Sequence, residues 1–497
     1  MRENKLQFHN SLTRQKEIFK PITPGFIGMY VCGPTVYSDV HLGNCRTFVS
    51  FDIIYRYLKV CGYKVRYVRN ITDVGHLLDD GEDRMSKGAR MQNLEPMEVA
   101  QKYSNGFHKI MDIFNTEKPS IEPRATGHII EQIEMVKTIL DNGYGYISNG
   151  SVYFDTIKFA EKTGEYGKLS GRIIEDLLTE TRDNLKNQSE KRHPSDFAIW
   201  MKAAEDHLMK WDSTWSVGFP GWHLECSAMS TKYLGEKFDI HGGGNDLKFP
   251  HHENEIAQNI GSCNCSPANY WLHTNMLLMN GKKMSKSDGN TISPEELFSG
   301  DSAHVTKGYS PMIVKFFMLQ SHYRSTLDLT NDGLLAAEKG YKRLMEAVKT
   351  LQSLSTSNTS DSDPINKELL DIVESAYCDM DDDFNTPKAL SRLFELVPRI
   401  NSFADGKQDI NTVSKETLIT VKKSFDVFLN DIFGLENDLD SGGNSSVVDG
   451  LMDLVIDIRQ QARANKDWST SDTIRDKMNE LEIVLKDGKE GTKWSVK

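Results

Sequence analysis

Residues 26 to 71 place the tightest limit on the fold. Phe26-Ile-Gly-Met-Tyr-Val-Cys-Gly-Pro34 is a short apolar run stopped by Gly33-Pro34, the pattern of a buried strand. Phe51, Ile54, Tyr55 and Leu58 then repeat at i, i+3, i+4 and i+7, the stripe of a helix that ends near Gly62. Tyr63 to Ile71, rich in Val and Tyr, reads as the next strand. Strand, helix and strand within about 45 residues make a βαβ unit, which requires parallel strands and a right-handed crossover. The expected fold class is therefore α/β, with a doubly wound parallel sheet of Rossmann type.

The pattern is then interrupted. Residues 95 to 142 read as helices, Tyr144 to Asp155 as a hairpin turning at Asn149-Gly150, and 180 to 195 as a polar, charged loop. From Gly221 to Phe249 helix, strand and a Gly-rich turn return, as when a segment is inserted between two halves of one parallel sheet. Beyond about residue 330 the periodicity is helical. Leu334, Ala337, Tyr341, Leu344, Val348 and Leu351 step by three and four, as do Leu418, Val421, Phe425, Phe428 and Ile432. With a third stripe at Leu390, Leu393, Phe394 and Val397, these predict an α-helical bundle. Linkers at Ser353 to Pro364 and Glu436 to Ser446 flank its middle. The last 50 residues predict a small α+β C-terminal module: a helix through Leu451, Leu454, Val455 and Ile458, a second through Ile474, Met478 and Leu481, and a hairpin from Ile483 to Val496. The expected limits are 1–118 and 201–275 for the halves of the sheet domain, 119–200 for the insertion, 276–330 for a mobile lysine loop region, 331–440 for the bundle and 446–497 for the module.

With 497 residues, 38% hydrophobic and 26% charged, the chain has material for roughly three domains and an ordinary globular composition. No apolar run approaches the ~18 residues of a membrane span. Met1 to Pro21 lacks the apolar core of a signal peptide, so a cytoplasmic location without a membrane partner is expected. In that compartment the seven cysteines are reduced thiols, suited to metal binding or nucleophilic work. The net charge of −12 does not exclude an RNA partner. Residues 351 to 445 hold 8 basic and 18 acidic side chains, which leaves only −2 for the remainder.

Two short motifs suit phosphate chemistry. His41-Leu-Gly-Asn44 falls between the first strand and its helix, where ligands bind in a doubly wound sheet. Gly43 would let a ligand approach the backbone, the helix start attracts phosphate, and His41 and Asn44 add donors. The same tetrapeptide also reads as a helix cap at Asn44 with His41 facing solvent. Lys283-Met-Ser-Lys-Ser287 places Lys283 and Lys286 three apart on a loop bracketed by Gly281 and Gly289. Two ammonium groups there suit the charge of a departing pyrophosphate; a solvated surface turn is the plainer reading. His251 and Glu255, in His251-His-Glu-Asn-Glu255, stand at i, i+4 and could chelate one metal ion, or form a surface polar pair. Spacing alone joins no other residue to them. His241-Gly-Gly-Gly-Asn-Asp246 is a Gly-rich turn after a strand, with Asp246 as an acceptor for ribose hydroxyls.

Together the first two motifs resemble the signatures of the class I aminoacyl-tRNA synthetases, with Asn44 where a histidine is usual. Tyr30-Val-Cys-Gly-Pro-Thr-Val-Tyr37, Gly221-Trp-His-Leu-Glu-Cys-Ser-Ala-Met229, Phe238-Asp-Ile-His-Gly-Gly-Gly-Asn-Asp-Leu247 and Phe249-Pro-His-His-Glu-Asn-Glu255 are similar to the cysteinyl-tRNA synthetase family. So are Asp381-Asp-Asp-Phe-Asn-Thr-Pro387 and the stretch from Ala464-Asn-Lys-Asp-Trp468, so that the resemblance spans nearly the whole chain.

The resemblance implies one zinc ion on Cys32, Cys226, His251 and Glu255, itself binding the substrate thiolate. It implies ATP, with Mg²⁺, held by His41, Gly43, Asn44, Asp246, Lys283 and Lys286, of which His41, Lys283 and Lys286 are catalytic. Trp222 and His241 would border the cysteine pocket, or else be a core aromatic and a satisfied histidine. The implied partners are L-cysteine, ATP and tRNA(Cys), the last held by the bundle and read by the C-terminal module, and the enzyme would be a monomeric ligase. Direct thiolate binding suits the task, because an apolar pocket separates near-isosteres by only ~1–3 kcal/mol. The insertion is too short and polar for an editing domain. Cys45, Cys61, Cys263, Cys265 and Cys378 match no ligand pattern, and Cys263-Asn-Cys265 reads as a loop with two thiols. Two other readings stand beside this one: a small-molecule ligase joining cysteine to an amino sugar, which would lack the C-terminal module, and a non-catalytic RNA-binding protein of the same fold.

Overall fold

A computed structural model describes residues 5–75, 88–90, 94–172, 190–284, 289–438, 445–481, 483–488 and 491–496. The chain forms two compact units, residues 1–436 and 437–497.

The first unit is built on the expected βαβ element. Strand β1 (Phe26–Val31), helix α1 (Leu42–Val60) and strand β2 (Lys64–Arg69) follow in sequence, with β1 and β2 parallel and Phe26 opposite Lys64. The second half supplies helix α2 (Leu224–Leu234), strand β3 (Phe238–Gly244), helix α3 (His251–Cys263) and strand β4 (Ala268–Thr274). The four strands order as β4-β3-β1-β2, every neighbouring pair parallel. The chain leaves β1 on one side for β2 and later returns on its other side as β3. That reversal opens a crevice at the C-terminal ends of β1 and β3, where an open α/β sheet binds ligands. Gly242 lets α1 lie close on β3, since a Cβ there would overlap the Phe51 ring.

Between the halves lie helices Pro96–Ile113 and Ile129–Asp141 and an antiparallel sheet of Gly145–Ser148, Ser151–Phe154, Phe197–Lys202 and Gly218–Pro220. The hairpin turns at Asn149-Gly150, both at positive φ (49° and 85°), as a two-residue turn requires. This sheet runs past residue 200, because Gly218–Pro220 pairs with Phe197–Lys202 across a polar loop that carries no strand pattern. The charged loop expected at 180–195 lies largely outside the described residues. An N-terminal hairpin, Gln7–Asn10 with Gln15–Ile18, was not legible in the sequence.

The bundle follows as helices Asn331–Ser353, Pro364–Asp381, Thr386–Ala404 and Lys415–Asp426. Its stripes are buried as their periodicity predicts, except that Val348 and Phe394 sit half-buried at the edges while Ala347 and Leu396 take the interior. Helix α1 is buried nearly all round, which explains polar residues along its length. Tyr57 Oη donates to Asp381 Oδ1 (2.6 Å), and Asp52 accepts from Arg56 Nε (2.9 Å), the Glu117 amide (2.7 Å) and Lys315 Nζ (3.4 Å). Lys315 Nζ also donates to the carbonyls of Asn115 and Gly434, both at 3.1 Å.

Burial pushes Lys315 down to about 8; Asp52 opposes the shift and Arg56 adds to it. The unfolded chain therefore holds this proton more tightly than the folded one between about pH 8 and the ordinary 10.5. Stability from this group is lowest at neutral pH and rises through that window. At ~1.4 kcal/mol per pH unit the change is on the order of 3 kcal/mol. Urea unfolding of wild type and Lys315→Met from pH 7.5 to 10.5 should show the difference moving in favour of wild type as pH rises. A pH-independent difference would refute the shift.

The second unit consists of helices Ser445–Ala464 and Trp468–Glu480 and the antiparallel hairpin Ile483–Gly488 with Gly491–Val496. Its first helix carries Leu451, Leu454, Val455 and Ile458, as the sequence predicts. Leu451, Leu454 and Ile458 are exposed, whereas Met452, Ile456 and Ala462 are buried. The helix has apolar residues on two faces, and one of these is buried.

Candidate active site

A cavity of about 380 Å³ opens at the switch point. It is lined by Cys32 and the loop after β1 through His41, by Asn44 on α1, by Trp222 ahead of α2, by Gly244 and Asp246 after β3, and by Met284 and Thr291. Five of the residues singled out in the sequence thus border one space: Cys32, His41, Asn44, Trp222 and Asp246.

Behind Cys32 four potential metal ligands converge. Cys32 directly follows β1, Cys226 lies in the first turn of α2, and His251 and Glu255 share one face of α3. One ligand atom from each lies within 4.8 Å of all the others. Cys32 Sγ is 3.7 Å from Cys226 Sγ and 3.4 Å from Glu255 Oε1, which is 3.2 Å from His251 Nε2. Two sulfurs, an imidazole nitrogen and a carboxylate oxygen suit a tetrahedral zinc. The buried His251 Nε2 lies 3.2 Å from Glu255 Oε1 without hydrogen-bond geometry, as a ring nitrogen aimed at a shared metal would. The outer partners are also in place: His223 Nδ1 bonds His251 Nδ1 and His241 Nε2 bonds Glu255 Oε2, each at 2.8 Å. Burial would raise the Glu255 carboxyl, but His241 and His251 hold it down at about 2, so it stands ionised. Burial and the neighbouring Cys226 thiol push the Cys32 thiol far up, so it gives up its proton only where a cation joins it.

A second donor set, Cys32, His241, His252 and Glu255, overlaps the first. It offers one thiol instead of two. His241 Nε2 bonds Glu255 within the set, and His252 bonds His273 Nε2 through Nδ1 (2.8 Å), which in turn meets Ser11 Oγ (2.8 Å), while His252 Nε2 lies 3.4 Å from Cys32 Sγ. Burial and the surrounding histidines keep His252 well below the ordinary value, hence neutral. His241 does not line the cavity. It is fully buried, stacks on Trp271 with ring centroids 4.3 Å apart, and orients Glu255 from behind.

At the other end of the cavity the cap of α1 differs from the expectation of a cap at Asn44. His41 is the N-cap: its Nδ1 accepts from the Gly43 amide (3.1 Å), and Asn44 Oδ1 accepts from the His41 amide (3.3 Å). A Cβ on Gly43 would stand 2.9 Å from the His41 ring, so glycine is needed for this cap as well as for ligand approach. Lys283 is exposed at the end of a short strand, Lys282–Lys283, and its carbonyl accepts from Asn290 Nδ2 (2.8 Å). Gly281 and Gly289 flank the loop at positive φ (76° and 64°). Lys286 lies outside the described residues.

The sequence reading missed His223, His252 and His273, and Glu225, which burial pushes up to about 7 beside Thr72 Oγ1 (3.3 Å). A signal was present. Five of the fourteen histidines fall within residues 223–273.

Residues 18–339 match the catalytic domain of class I (C) tRNA synthetases, and residues 377–435 match the DALR domain. The chain is 50% identical to a cysteine–tRNA ligase of Bacteroides fragilis, with 99% of each chain covered, and 45% identical to that of Deinococcus radiodurans, covering 98% of this chain and 96% of the relative. Among solved structures, a methionyl-tRNA synthetase of Mycobacterium tuberculosis in complex with methionyl-adenylate shares the fold at a TM-score of 0.59 and 12% identity, over 82% of this chain and 92% of that one. A doubly wound sheet, a ligand crevice at its switch point and full-length identity near one half lead to one statement: the chain belongs to the cysteine–tRNA ligases, within the class I aminoacyl-tRNA synthetases.

Proposed function

We propose that the chain activates L-cysteine with ATP, giving cysteinyl-adenylate and pyrophosphate, and passes the cysteinyl group to the 3′ end of tRNA(Cys). The observation that carries this reading is the double role of Cys32, which belongs to a two-thiol donor cluster and also lines the cavity that reaches the N-terminus of α1. Cys32, Cys226, His251 and Glu255 would hold zinc. When bound, zinc would supply a Lewis acid that takes the substrate sulfur as thiolate and so separates cysteine from serine. His223 and His241 orient two of its ligands, and Trp222 walls the amino-acid end.

The helix start at His41, Gly43 and Asn44 would receive the ATP phosphates, with Mg²⁺ accompanying the nucleotide, and Asp246 the ribose hydroxyls. Lys283 and Lys286 would stabilise charge on the leaving pyrophosphate. Rate enhancement then comes from holding the cysteine carboxylate in line with the α-phosphate, and needs no covalent nucleophile. Residues 276–330 and the bundle at 331–440 would meet the tRNA stem, and the module at 446–497 would read the anticodon. There Trp468 is 58% exposed, and an exposed aromatic is a stacking platform for an unpaired base. A monomer in the cytoplasm fits this work.

Amino-acid-dependent ATP–pyrophosphate exchange across the twenty amino acids tests the reading. Cysteine should be the best substrate, with serine poorer by ~10⁴-fold or more. A different best substrate would overturn it.

A further inference from the structure

Helix α3 begins at the metal-ligating face and ends about 18 Å away at Cys263, by the rise of a 13-residue helix. Asn264 caps it in the left-handed conformation (φ 59°, ψ 27°), and Cys265 follows. That reversal sets Cys263 Sγ 2.8 Å from Cys265 Sγ. Cys263 Sγ also lies 3.2 Å from the Asn259 carbonyl, and Cys265 Sγ 3.5 Å from the Glu236 carbonyl. Both cysteines are partly solvent-accessible, and nothing in the synthetase reading uses them. We propose that Cys263 and Cys265 form a redox-active dithiol that closes to an intramolecular disulfide by exchange with a low-molecular-weight disulfide of the glutathione type.

Two observations favour closure over metal binding. Two thiolates on one tetrahedral zinc stand about 3.7 Å apart, given Zn–S bonds near 2.3 Å, and this pair is closer. The Glu236 carboxylate is the third donor within reach and is exposed; among the described residues the cluster has no fourth. Burial and the neighbouring Cys265 push the Cys263 thiol up to about 12, which suits it to the later, resolving step. The two thiols then divide the work. The Cys265 thiolate attacks one sulfur of the small disulfide and expels one thiolate, leaving a mixed disulfide on Cys265. Cys263 gives up its proton and attacks the Cys265 sulfur, expelling the second thiolate. Two protein thiols and one small disulfide become one protein disulfide and two small thiols, so electrons and protons balance. A ring closed over a single residue at an accessible helix end reopens readily, as a reversible cytosolic disulfide must.

The test uses the full-length protein incubated with oxidised glutathione, followed by alkylation of remaining thiols and peptide mass analysis. The exposed Cys378 serves as the internal standard for simple glutathione addition. In wild type the peptide with Cys263 and Cys265 should lose two hydrogens, carry no glutathione and return to the dithiol with dithiothreitol. Cys263→Ser should trap the adduct on Cys265 at about ten times the wild-type level or more, because the resolving thiol acts at a high effective concentration. Cys265→Ser should leave Cys263 unmodified. A persistent adduct on wild-type Cys265 would overturn the proposal. So would two unmodified thiols under conditions that modify Cys378, or a second zinc per chain that disappears with Cys263→Ser.

Discussion

Cys226→Ser is expected to lose its zinc while keeping its fold. Cys226 is 1% exposed and packs its sulfur against Cys32 and the Asn70 side chain at 3.7 Å, a space that a hydroxyl fills with little loss of contact. A serine hydroxyl stays protonated at neutral pH and is a hard donor, so the set loses one of its two soft ligands. Elemental analysis should fall from one zinc per chain to none, while the melting temperature moves by only a few degrees. Cysteine-dependent exchange should drop by ~10³-fold or more. The preference for cysteine over serine should shrink to the ~10–200-fold that shape alone provides. A variant that retains stoichiometric zinc would remove Cys226 from the ligand set.

Ending the chain after Asp438 should separate the two half-reactions. The cut follows the boundary between the compact units, so the sheet, the donor cluster and the bundle remain whole. Exchange with cysteine should stay within about twofold of wild type. Charging of tRNA should fall by ~10³-fold in kcat/KM, about 4 kcal/mol, with most of the loss in apparent affinity for tRNA. Remote contacts hold a large substrate while chemistry occurs elsewhere, and under the proposed function the truncated chain would lack them. Undiminished charging would show that the module reads no RNA.

The sequence disclosed what is local. The βαβ element, the bundle stripes and the Asn149-Gly150 turn follow from periods of 2 and 3.6 and from turn chemistry, and the structure has them. The donor cluster was legible only in part. His251 and Glu255 are one helical turn apart, but Cys32 and Cys226 are 194 residues apart and reach each other only through sheet topology. Family resemblance supplied that grouping. The Asp52–Arg56–Lys315 cluster stayed invisible for the same reason, since Lys315 is 263 residues from Asp52 and only the fold brings them together. In the C-terminal module the apolar stripe was real but faced outward, because the pattern records which residues are apolar and not what covers them.

The strand order has a consequence in time. Strand β1 pairs with β2 on one edge at once, but its other edge waits for β3, which begins 207 residues after β1 ends. At ~5–20 residues per second a ribosome takes about 10–40 s to make that interval. Throughout, a nascent chain carries the apolar edge of Phe26–Val31 uncovered, and with it Cys32 without its companions. The segment between the halves therefore sets how long the newborn protein exposes a template for mispairing. Shortening the insertion or slowing its translation should change the yield of soluble protein without changing the finished fold.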